Sequence, residues 1–195
     1  MQGNAAMAIP TQLESLLIKF EIEQALFRYA RGVDRKEWDL VRSAYHADAI
    51  DLHGAFEGGI DEFIEHLIQR HENIEQSIHA ITNILVELEA PGMALVESYF
   101  VCYQRLKTAQ QVERVIPAAD VGPTETLQIA VVGRYLDRFE LRDGSWRISR
   151  RKVAFDVIET HATPLGGGLD AILLVSKRDR TDVLFTEQKA VRSVG

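Results

Sequence analysis

Ser77-Ile78-His79-Ala80-Ile81-Thr82-Asn83-Ile84-Leu85 is the stretch at which the periodicity of this chain changes. Its side chains alternate, so His79, Ile81, Asn83 and Leu85 are expected to share one face of a strand. Upstream the period is helical. Ile22, Ala25, Leu26, Tyr29, Ala30 and Val33 form one apolar stripe, and Leu13, Leu16, Leu17 and Phe20 fit the same long helix or its first turns. Gly32 and Asp34 read as its punctuation. A second short helix is expected over about Lys36 to Tyr45, with Trp38, Val41 and Tyr45 along one side. A brief strand follows over Ala49 to His53, then a turn at Glu57-Gly58-Gly59. The third helix carries Ile60, Phe63, Ile64, Leu67, Ile68 and His71 at helical spacing.

Downstream, strands are expected over Ser77–Glu89, Ala94–Lys107, Leu127–Leu141 and Ser145–Asp156. Ala90-Pro91-Gly92 and Arg142-Asp143-Gly144 read as hairpin connections. Helices followed by long successive strands define an α+β class, three N-terminal helices packed on a curved, mainly antiparallel sheet. Residues 108–125 are polar and contain Pro117, Gly122 and Pro123, which suits a lid, a binding loop or a connection. The tail contains Gly166-Gly167-Gly168, then Ile172-Leu173-Leu174-Val175 and Val183-Leu184-Phe185, apolar clusters that need a cover from the same subunit or a neighbour. The expected organisation is an N-terminal segment (1–10), one domain (11–156) and a C-terminal extension (157–195), the last a candidate oligomer arm.

Composition narrows the function classes. A 195-residue chain with 46% hydrophobic and 26% charged residues has the make-up of a globular domain with a real core. A net charge of −7 argues against nucleic acid or an anionic membrane as partner. Arg147, Arg150, Arg151 and Lys152 alternate with apolar residues, as on a strand with one solvated face. The one cysteine, Cys102, excludes an internal disulfide and a cysteine-based metal cluster; within its apolar run it reads as a buried thiol before a nucleophile. Without a leader-like N-terminus or a membrane-length apolar run, a cytoplasmic location is the default.

Two residues carry the chemistry. Asp34, near the end of the first long helix, and His79, on the first long strand, would form a general base with an oriented imidazole if the fold brings them together. The structural alternative for Asp34 is a capping box with Glu37, a role compatible with one oxygen remaining free. For His79 it is a core histidine satisfied by a backbone carbonyl. Tyr29, Trp38, Tyr45, Asn83, Tyr99 and Tyr103 are candidates to line a substrate cavity, or else belong to the core. One of Arg150 and Arg151 can face that cavity. His66 with Glu62, and His46 with His53, lack convincing metal spacing, and no metal or organic cofactor is expected.

Tyr29-Ala30-Arg31-Gly32-Val33-Asp34-Arg35-Lys36-Glu37-Trp38-Asp39 with Tyr45-His46-Ala47-Asp48-Ala49, and Gly133 to Phe139 with Asp143 to Arg151, resemble the SnoaL-like branch of the nuclear-transport-factor-2-like cone fold. The likeness covers roughly Leu13 to Asp156. It implies a cone-shaped α+β barrel and, in the scytalone dehydratase and dehydrochlorinase branch, an Asp–His pair that falls on Asp34 and His79. The chain departs from that branch where the dehydrochlorinase has a lysine one turn before its aspartate: here stands Tyr29. The region of the second cavity histidine of scytalone dehydratase holds Tyr99, Val101 and Tyr103.

Two functions from different classes follow. One is a small-molecule lyase or isomerase of dehydratase type, acting without cofactor on a small apolar or hydroxylated cyclic substrate, with tyrosines on the oxygen that gains charge. The alternative is a non-catalytic ligand-binding or assembly module resembling the small subunit of aromatic-ring dioxygenases, its tail serving assembly. Either way a homodimer or homotrimer is expected.

Overall fold

The computed structural model describes residues 10–107, 124–164 and 173–193. Most of the polar stretch 108–125 and the triple glycine lie outside them. Helix α1 (Gln12–Arg35) starts at Thr11, whose hydroxyl accepts from the Glu14 N–H while the Glu14 carboxylate returns to the Thr11 N–H at 2.7 Å. It runs through both expected breaks and ends at Lys36, which takes the left-handed conformation (φ 56°). Helix α2 (Trp38–Arg42) is correspondingly shorter than expected. Its N-cap is Glu37, without a side-chain cap, so the Asp34–Glu37 capping box does not form. Gly32 is needed for a different reason than punctuation. A Cβ there would sit 2.7 Å from Val41 Cγ2 and 2.8 Å from Val41 N, so glycine lets α2 press against α1.

Tyr45 opens strand β1 (Tyr45–His53), and the expected turn at Glu57 belongs to strand β2 (Phe56–Gly59). Helix α3 (Ile60–His71) and strands β3 (Ile74–Ala90), β4 (Met93–Leu106), β5 (Glu125–Arg142) and β6 (Ser145–Pro164) follow. The described strands form one six-stranded sheet in the order β2-β1-β6-β5-β4-β3. All neighbours are antiparallel except β1 and β6, so the architecture is the expected α+β cone with one parallel pair. Asp143 (φ 51°) and Gly144 (φ 73°) turn β5 into β6, both with the positive φ that a tight hairpin of right-handed twist requires. β6 outruns its expected end because Val157 to Pro164 pair with the first half of β5.

The sheet curves, and its concave face is the core side. α1 lies against β3 and β6, and α3 covers β1. Ile22, Leu26, Tyr29, Val33, Phe63, Leu67, Val96, Phe100, Tyr135 and Phe139 meet there with almost no exposure. Leu13, Leu16, Leu17 and Phe20 belong to α1 as read but stay exposed. In the tail, Phe185 on helix α4 (Val183–Arg192) is buried, whereas Leu173 and Leu174 are not. Among the described residues no helix is long and apolar enough to cross a membrane.

Because a methyl at position 32 would meet backbone as well as side chain, Gly32→Ala is expected to cost about 1–3 kcal/mol. The urea midpoint checks this; an unchanged midpoint would mean that α1 and α2 can separate freely.

Candidate active site

The last turn of α1 and the first half of β3 meet through one carboxylate. Asp34 Oδ1 lies 2.7 Å from His79 Nδ1 and accepts the Ser77 hydroxyl at 3.0 Å; Oδ2 accepts the His79 backbone N–H at 2.8 Å. Ser77 and His79 are two apart on a strand, hence on the same face, and that face is turned to the helix. Gln104 Nε2 reaches Ser77 Oγ at 3.5 Å and Gln104 Oε1 accepts from Arg70 Nη2 at 2.8 Å. A polar chain therefore runs from Arg70 through Gln104 and Ser77 to Asp34. The Arg70 guanidinium turns inward from α3 to Gln104.

With Asp34 on Nδ1, the neutral imidazole carries its lone pair on Nε2, the nitrogen that Asp34 leaves unengaged. Cys102 stands directly opposite His79 in the β3–β4 ladder. Burial works against a charged His79, but Cys102 and Asp34 more than offset it and raise the imidazole to about 10. The contact with Asp34 thus favours the protonated form of the His79 ring.

A second polar centre fills the concave face nearer the hairpin. Arg151 is fully buried and gives Asp137 two bonds, Nε to Oδ1 at 2.7 Å and Nη2 to Oδ2 at 2.6 Å. Its guanidinium lies 3.9 Å from the Tyr135 ring centroid and 4.3 Å from that of Tyr29, a desolvated cation–π sandwich. Tyr45 donates to Asp51 Oδ2 at 2.8 Å. Arg151 Nη1 and Asp51 Oδ1 are buried without a hydrogen-bond partner among the described residues, although His53 Nδ1 lies 3.6 Å from Asp51 Oδ1. Burial pushes the Tyr29, Tyr45 and Tyr135 phenols up and keeps them neutral. Phe100, stacked on Tyr135 at 4.5 Å and two residues from Cys102 on β4, links this centre to His79.

The candidate residues therefore divide. Asp34, His79, Tyr29 and Tyr45 are on the concave side. Trp38 is half-buried beside His71, ring centroids 5.9 Å apart. Asn83 is corrected: it takes a left-handed conformation (φ 47°) at a bulge between Thr82 and Leu85. The extra residue resets the alternation, so Ile84 and Val86 turn inward while Asn83 and Leu85 are exposed. Tyr99 and Tyr103 are corrected too. β4 turns Ser98, Phe100, Cys102 and Gln104 inward, which places both tyrosines on the outer face. Of the two arginines, Arg151 faces in and Arg150 out. Cys102, Ser77, Gln104 and Arg70 were not anticipated as parts of the site; the alternation of β4 with Phe100 inward was the available signal for two of them.

A helix-capped, curved sheet with a carboxylate–imidazole pair on its concave face defines a cone-fold domain. The SnoaL-like domain family model matches residues 14–152, and the chain belongs to that family. Among solved structures it is similar to a protein from Novosphingobium aromaticivorans provisionally assigned as a scytalone dehydratase, at 18% identity and a TM-score of 0.61 over 79% of this chain and 97% of that one. It is also similar to a type 2 hexachlorocyclohexane dehydrochlorinase (20%, TM-score 0.62, 80% and 95%) and to the type 3 enzyme of Novosphingobium barchaimii (20%, TM-score 0.59, 80% and 96%). At these identities the likeness is one of fold. No curated protein gives a significant match.

The raised imidazole makes a linkage prediction. A group whose folded value lies above its unfolded value stabilises most below the unfolded value, near 6.5, and loses that contribution as pH rises through about 10. Asp34→Asn should therefore lower the urea midpoint most near pH 6, with a gap to the unsubstituted protein that narrows toward pH 10. A gap that is constant or widens with pH would contradict the ion pair.

Proposed function

We propose that this chain is a lyase or isomerase of dehydratase type, acting without cofactor on a small hydroxylated cyclic molecule, with His79 as the base. The observation that carries the reading is the pairing of His79 Nδ1 with Asp34 Oδ1 at 2.7 Å while Oδ2 holds the backbone of the same residue. Both ring and backbone are fixed by one carboxylate, which leaves the ring little freedom except at Nε2. In the proposed step Nε2 takes a proton from carbon beside a carbonyl, and the imidazolium that forms is stabilised by Asp34. The electron pair moves toward the oxygen, where a buried N–H donor is needed. Arg151 Nη1 fits that role better than Tyr45, whose hydroxyl already serves Asp51. In an elimination the leaving hydroxyl then takes the proton from His79 and departs as water. The similarity in fold to proteins named as a dehydratase and as dehydrochlorinases supports the reaction class.

The raised imidazole gives the reading a pH signature: rate should climb with pH as the imidazolium deprotonates, toward about 10.

The rival assembly-module reading is favoured by one observation: Arg151, Tyr29, Tyr45 and Tyr135 pack the concave face with hardly any exposure. Copurification with a larger iron-bearing subunit would distinguish it. A homodimer or homotrimer remains the proposed assembly under the enzymatic reading, checked by mass in solution.

Screening hydroxylated cyclic ketones for dehydration or isomerisation tests the proposal. On any substrate turned over, His79→Ala and Asp34→Asn are each expected to lower kcat by about 10²–10⁴-fold, the share a positioned base supplies. Full turnover in both variants would eliminate the pair as the catalyst.

A further inference from the structure

The tail sends one cation to the back of this site. Arg178 is buried and lies at the joint between α1 and β3. Nε donates to the Asp34 carbonyl at 2.9 Å, Nη2 to the Val33 carbonyl at 3.0 Å, and Nη1 to the Ile74 carbonyl at 2.9 Å. Nη2 also reaches His71 Nδ1 at 2.5 Å, so that imidazole accepts and is neutral; burial first and Arg178 next push it far below its ordinary value.

Each acceptor has a reason to need a donor. Val33 and Asp34 are in the last turn of α1, where carbonyls lack full intrahelical partners and the helix dipole favours a cation. Ile74 is the first residue of β3. One planar fork thus bolts the end of the helix that carries Asp34 to the start of the strand that carries His79, geometry that a guanidinium supplies and an ammonium does not.

The segment around Arg178 is itself constructed. Asp182, almost fully buried, accepts the Lys177 N–H at 2.6 Å with Oδ2 and caps α4 by accepting the Leu184 N–H at 3.0 Å with Oδ1. Gln76 Nε2 holds the Ser176 carbonyl at 3.1 Å. These bonds fix the turn from which Arg178 projects.

We propose that Arg178 is a positioning residue: docking of segment 173–193 on its own domain sets the Asp34–His79 geometry, and with it the protonation of His79. For its catalytic consequence this rests on His79 being the base, but the contacts do not. His79 is faced by Asp34 from α1, by Cys102 from β4 and by His71 from α3; Arg178 is faced by Asp34, Arg35, Lys36, His71 and Cys102. The sign separates two effects. Losing the Arg178 charge would by itself ease protonation of His79 and raise its midpoint. Losing the position of Asp34 would lower it.

The test is the titration of His79, followed by NMR of ¹⁵N-histidine-labelled full-length protein, in Arg178→Lys, Arg178→Met and Asp182→Ala. Arg178→Lys keeps the charge and removes the fork. Its His79 midpoint is expected to fall by about a pH unit or more, with a smaller fall in Asp182→Ala, which loosens the turn but keeps the Arg178 side chain itself. In an Asp34→Asn background Arg178→Lys should add nothing, because it acts through Asp34. A role confined to stability would lower the melting temperature of these variants and leave His79 unmoved, which overturns the proposal. So would an equal fall with and without Asp34. If Arg178→Met does not fold, the lysine and Asp182 variants decide. None of these readouts needs a substrate, so their outcome is separable from failure of the proposed reaction.

Discussion

The Asp34 carboxylate is the constraint on which the rest of this cone depends. It accepts from the Ser77 hydroxyl, the His79 ring and the His79 backbone, and so joins the end of a 24-residue helix to the strand that crosses it. A buried carboxylate with unfilled lone pairs would be costly. Here the helix is held at a set depth against the sheet because the acceptors must be met. The inward-turned Arg70 and Gln104 extend that chain of bonds to α3 and β4, so all four elements around His79 depend on a single network.

The opposite end of the concave face obeys the same logic with the signs reversed. Arg151 inside a core would be strongly unfavourable alone; the bidentate Asp137 and the faces of Tyr135 and Tyr29 compensate its desolvation. A well-packed hydrophobic replacement of the pair would serve stability as well or better. The concave face thus carries a carboxylate–imidazole pair at one end and a buried guanidinium at the other, linked by the Phe100–Tyr135 stack.

The sequence made the fold readable because its two periods are strong: the Ile22-to-Val33 stripe fixes α1, and the Asp143-Gly144 turn fixes the β5–β6 hairpin. The approach of Asp34 to His79 was legible only as a possibility joined to a family likeness. What escaped was phase. A single αL residue, Asn83, moves the inward set of β3 by one; asparagine tolerates that conformation, yet nothing marks the bulge in advance. On β4 the outer residues Tyr99, Val101 and Tyr103 are as apolar as the inner ones, so hydrophobicity could not choose the face. For Arg150 and Arg151 the cause is again a bulge. Arg142 pairs with Ser145 and Phe139 with Ile148, a register that would set Asp137 opposite Arg150; a shift between Phe139 and Arg138 delivers Arg151 instead. Arg178 left no local signal, since its acceptors are main-chain carbonyls distant in sequence.

The central claim is that Asp34 governs the state of His79, and the most direct measurement of it is the ¹⁵N-detected titration of His79 in the unsubstituted protein. The account predicts a midpoint far above the ordinary histidine value of about 6.5, toward 10. A midpoint at or below the ordinary value would contradict it: the carboxylate would not be holding the imidazolium, and His79 would be a core histidine.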